Sequence, residues 1–153
     1  MDTAAITIEL IATDAEEPLS WFSLGHICVV GAMGIADSRD LVGGAMMVFP
    51  TIVDMVAVIA AQFPVPCGER VETFSAGSSF ALVFEGMPGN RIATHFMSNV
   101  IDIEDADTLG RVIVKGLSKQ FARFDGKFGA DCSYASEFPS VLAEFNAKQG
   151  YLE

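Results

Sequence analysis

The sequence is poor in positive charge. Nine Lys and Arg stand against twenty Asp and Glu, giving a formal net charge of −11. The shortage is uneven: residues 1–100 hold eleven acids and three bases, residues 101–153 nine acids and six bases. Nucleic-acid phosphates are met by Lys and Arg, so no direct contact with DNA or RNA is expected. Cysteine is equally sparse. Cys28, Cys67 and Cys132 are odd in number and form no CxxC, so the expectation is buried thiols acting as small hydrophobes.

Motifs that announce chemistry are missing too. The chain has no GxSxG elbow, HExxH, P-loop or GxGxxG, and its two histidines, His26 and His95, each fall in an expected strand. The glycine-rich stretch 31–45 could pass for a phosphate cradle. It carries Asp37 and Asp40 where an anion would sit, and reads instead as a turn between strands. The acids Asp102, Glu104, Asp105 and Asp107 precede an apolar-periodic run and suit a helix start, where the dipole favours negative charge, better than a metal site. No catalytic residue, metal or cofactor is therefore expected.

A membrane span is also lacking. A spanning helix needs about 20 apolar residues flanked by Lys or Arg. The most hydrophobic segment is broken by Gly43-Gly44, Pro50 and Asp54, and the next base after it is Arg70. The start MDTAAITIEL has an early acid and no basic residue before its apolar block, unlike a secretory leader. These features lead to the expectation of a soluble cytoplasmic domain spanning residues 1–153.

What is present is a strong central hydrophobic element. Met46–Phe63 is interrupted only by Pro50, Thr51, Asp54 and Gln62, and a helix apolar nearly all round belongs in a core. Pro50-Thr51 is read as its entry, with Thr51 capping, and Met46–Phe49 as a short strand before it. Alternation predicts strands over 4–12, 19–30, 71–75, 79–85 and 91–103. Leu109 to Phe124 and residues 136–148 carry helical spacing, the second burying Phe138 and Phe145. The stripe Arg111, Lys115, Lys119, Arg123 reads as a solvated helix face. Strands followed by helices predict an α+β fold: one antiparallel sheet of about four to six strands with helices packed on one face.

The order strand, strand, hydrophobic helix, hairpin, two helices resembles the small acidic α+β immunity proteins of bacterial toxin–immunity systems. EEPLSWF (Glu16–Phe22), the Met46–Phe63 run with its internal Asp54, and SSFALVFE (Ser78–Glu85) carry the resemblance. It implies a non-enzymatic inhibitor that occludes the active site of one cognate toxin, often a basic nuclease. The acids on expected turns, Asp14, Glu16, Glu17, Asp37 and Asp40, are the candidate partner-binding residues, with Trp21 as the aromatic anchor. The alternative is a small-molecule binding or enzyme domain, with a pocket between sheet and helices and His95 or Asp54 as its polar group. A third possibility is a homo-oligomeric subunit using Phe138 and Phe145 as surplus apolar faces.

Overall fold

Alternating apolar residues build the first sheet. The computed structural model describes residues 6–12, 19–124, 127–128 and 136–150. Strand β1 (Thr7–Ala12) pairs antiparallel with β2 (Leu24–Val30), whose far edge is shared by β3 (Ile35–Asp37) and β4 (Met46–Met47). Ile6, Ile8, Leu10, Ile27, Val29 and Ala36 point inward and are buried. The residues between them face outward, as the two-residue period requires.

The second sheet is a meander, β5 (Arg70–Glu72), β6 (Leu82–Met87), β7 (Arg91–Phe96) and β8 (Asn99–Asp105), all antiparallel. Leu82, Phe84, Ile92 and Phe96 form its buried face. The fold is thus α+β as expected, but among the described residues eight strands divide into two four-stranded sheets rather than one. The expected single strand over 91–103 is two strands, joined at Met97-Ser98 with Met97 at φ 57°. Ser98-Asn99 is the one turn signal in that run, with no Gly or Pro beside it, which is why its pattern reads as continuous.

Helix α1 (Val48–Gln62) lies at the centre of the core, with Val48, Phe49, Ile52 and Val56 fully enclosed. It begins at Val48, earlier than Pro50-Thr51. Pro50 sits in the first turn, where a missing N–H costs nothing. Thr51 does not cap: its hydroxyl donates to Met47 O (2.9 Å) and accepts from Ala76 N (3.0 Å). The far end of α1 has no basic residue of its own. Lys148 of α3 (Glu137–Gly150) supplies one, donating from Nζ to Phe63 O (3.0 Å) and to Ala60 O.

Helix α2 (Ala106–Ala122) starts as its acids predict: Asp105 is the N-cap and accepts from Thr108 N at 3.1 Å. Asp102 does not join that start. It lies within β8, 2% exposed. Phe138 and Phe145 of α3 are buried in the same core as both sheets, so they offer no free apolar face for self-association. Among the described residues, no helix is long and apolar enough to cross a membrane.

Candidate protein-interaction face

The outward side of the first sheet presents a surface that is open at its two ends and meets the short turn Ser38–Asp40 at its middle. Register places Thr7, Val30 and Ile35 in one row, Glu9, Cys28 and Asp37 in the next, and Ile11 beside His26 in a third. Leu24, paired with Met47, closes that end. Along β2, the stripe Leu24, His26, Cys28, Val30 runs for about 20 Å at the usual strand rise. Its two ends are apolar and open: Phe22 and Leu24 at one, Val30, Met33 and Ile35 at the other, with Ile35 58% exposed. Glu9, Arg39 and Asp40 add exposed charge around this stripe.

The middle of the face is stiffened by polar contacts. Asp37 ends β3 and caps the 3₁₀ turn Ser38–Asp40 by accepting from Arg39 N (2.9 Å). The same carboxylate takes two further donors from the guanidinium, Nη2 to Oδ2 at 2.6 Å and Nε to Oδ1 at 2.9 Å. These bonds to the charged form hold its pKa down at about 2, and the Arg39 pKa rises in return. Ser38, fully buried, accepts Ile27 N at 3.0 Å and bonds His26 Nδ1 at 2.9 Å. That pairing has the look of a nucleophile and base, yet the enclosed hydroxyl cannot reach a substrate and serves as a brace. Burial, followed by the negative charge of Asp37, pushes the Cys28 thiol up, away from nucleophilic thiolate character.

The residues expected to bind a partner are dispersed by these findings. Asp40 is exposed on this side of the molecule. Asp37 is 9% exposed and occupied by Arg39, so it orients the face more than it contacts solvent. Asp14, Glu16 and Glu17 lie outside the described residues, in the connection between β1 and β2. Trp21 requires correction as an anchor: it is 3% exposed, stacked on Phe49 at 5.7 Å between centroids and edge-on to Phe121. An aromatic held in the core cannot serve as a surface contact. Its neighbour Phe22 is the exposed one. The alternation that places Trp21 and Ser23 together also puts Phe22 and Leu24 on the other side, and that signal could have found them.

Nor do the polar groups proposed for a pocket come together. His95 lies on the outward side of the second sheet, its Nε2 2.8 Å from Glu85 Oε1. Asp54 is half-buried on α1 with one carboxylate oxygen enclosed and unbonded. A groove of about 590 Å³ does open between β1 and α2, but neither residue lines it. Among the described residues no group of three or more His, Cys, Asp or Glu is placed to hold a metal ion. Compared with known proteins, the chain matches no family model, no curated protein and no solved structure.

Proposed function

We propose that this chain is an acidic binding protein of the immunity type, which neutralises a basic toxin domain by seating it on the outward face of the first sheet. The observation that carries the reading is that face itself: an open antiparallel sheet with Leu24, Val30, Met33 and Ile35 exposed beside carboxylates. Exposed apolar residues grouped within a polar rim are the surface that partners bury. The net charge of −11 supplies the complementary field, which speeds encounter with a cationic partner. The first apolar contacts to be covered are Ile35 and Val30, adjacent across β2 and β3.

The test is protection. Candidate basic nuclease toxin domains are each co-expressed with the chain, and growth is scored. Wild type is expected to rescue growth, and Ile35→Asp with Val30→Asp to fail while melting within a few degrees of wild type. Losing a central apolar anchor costs about 2 kcal/mol or more, roughly thirtyfold in affinity. Glu16→Lys with Glu17→Lys should slow association and flatten its dependence on salt. Full protection by the Ile35/Val30 variant would remove this face from the interface.

A further inference from the structure

The scarcest charge in the chain is concentrated in one place. Lys115, Lys119 and Arg123, three of only nine bases, line the groove between β1 and α2, and among the described residues no carboxylate lines it with them. Spaced by four, they rise along one side of the helix in steps of about 6 Å. Lys115 and Lys119 form no ion pair with any described residue. Across from them stand Ile6, Thr7 and Ile8 at β1, and Val112, one turn before Lys115 on the same helix, adds a further apolar surface.

The end of the groove is fixed rather than loose. Gln120 Oε1 accepts Leu10 N at 3.0 Å and also takes Arg123 Nη1 at 2.6 Å. The same guanidinium nitrogen reaches Leu10 O at 3.3 Å. The free edge of β1 is therefore capped by side chains at Leu10, and Arg123 is held where the groove closes. Gly116 keeps the space open: it lines the groove, and a Cβ placed on it would meet nothing nearer than Ile8 Cβ at 4.0 Å.

We propose that this groove binds a small amphipathic anion, a carboxylate or phosphate head on an apolar body, with Lys115 and Lys119 meeting the head and Ile6, Ile8 and Val112 the body. The volume falls in the range of small-molecule sites, about 300–1,000 Å³, where apolar walls converge on a few polar groups. The overall negative charge does not defeat this. At physiological salt the Debye length is about 8 Å, so a bound head feels the three adjacent cations more than carboxylates elsewhere on the surface. The site shares only Thr7 with the outward sheet face and does not depend on the toxin-binding reading.

Titration calorimetry with octanoate, octyl phosphate and 1-octanol tests it, with amide shifts of Ile8 and Gly116 reporting location. At least one anion is expected to bind and shift both amides, with octanol at least tenfold weaker. The better of the two anions identifies the head as carboxylate or phosphate. Lys115→Gln with Lys119→Gln should weaken the anion about tenfold, and Gly116→Leu, which fills the groove and improves helix propensity, should abolish binding. Octanol equal to the anions, unmoved Ile8 and Gly116 amides, or unchanged affinity in the double Gln variant would overturn the assignment.

Discussion

Gly31→Ala is the most informative single change, because Gly31 sits where the two sheets touch. The turn after β2 lies against β8: Met33 N donates to Ile101 O at 2.8 Å and Ala32 N to Asp102 Oδ1 at 3.1 Å. A Cβ on Gly31 would stand 2.1 Å from Ile101 O and 2.9 Å from Asp102 Cβ. Carbon and carbonyl oxygen approach no closer than about 3.3 Å even in favourable contacts, so the turn must retreat by more than about 1 Å. Both hydrogen bonds then exceed bonding distance. The backbone pair contributes about 1 kcal/mol and the bond to a charged acceptor about 1.5–3 kcal/mol. The expected loss is about 2.5–4 kcal/mol, a large share of the 5–15 kcal/mol typical of a domain. At about 2–4 °C per kcal/mol for a chain of this size, the Tm should fall by roughly 5–16 °C. Urea denaturation measures the loss directly. Gly34→Ala is the control, since its Cβ would meet only the Ile101 Cγ2 methyl, at 3.1 Å, and a side chain can yield. A Gly31→Ala protein within 0.5 kcal/mol of wild type would refute the claim that this contact joins the sheets. Because the same turn carries Met33 and leads into Ile35, the variant should also weaken any partner seated on the outward face.

Two further predictions concern buried carboxylates. Asp102 is 2% exposed with Oδ2 unbonded, and its cross-strand neighbour Thr94 has an enclosed, unbonded hydroxyl. Asp102→Asn keeps an acceptor for Ala32 N, adds a donor beside Thr94 and removes any need to bury charge; chemical denaturation at neutral pH should show a gain of about 1 kcal/mol, and a loss of that size would contradict it. The Asp37–Arg39 pair should show in acid. The folded Asp37 pKa is lowered to about 2 from 3.8, so its stabilisation is complete above about pH 4 and disappears as pH falls through about 2. With Arg39 half exposed, solvent screening keeps the effect to a small margin. Wild type should exceed Asp37→Asn by that margin at pH 6 and converge with it near pH 2, and a gap that widens on acidification would reverse the assignment.

Much of this fold is legible in the residues alone. The alternation of Ile6, Ile8 and Leu10, the near-uniform hydrophobicity of Met46–Phe63 and the acids before Leu109 set a buried strand face, a central helix and a capped helix start. Each depends on periodicity or on groups within one turn of each other, and those are properties of a linear string. The chain also determined its net charge of −11.

Tertiary structure decided the rest. Whether Trp21 faced solvent or core depended on Phe49 and Phe121, residues far away in sequence that close over the ring. Asp102 changed from an expected helix-start acid to a buried one because the turn at Ala32 folds onto it, and no local pattern encodes that contact. The stripe Lys115, Lys119, Arg123 reads as ordinary solvated surface until β1 is set beside it and makes a groove. Burial and charge become a site only where distant segments meet, because the free energy of a side chain is set by its neighbours in space, and most of those neighbours come from elsewhere in the chain.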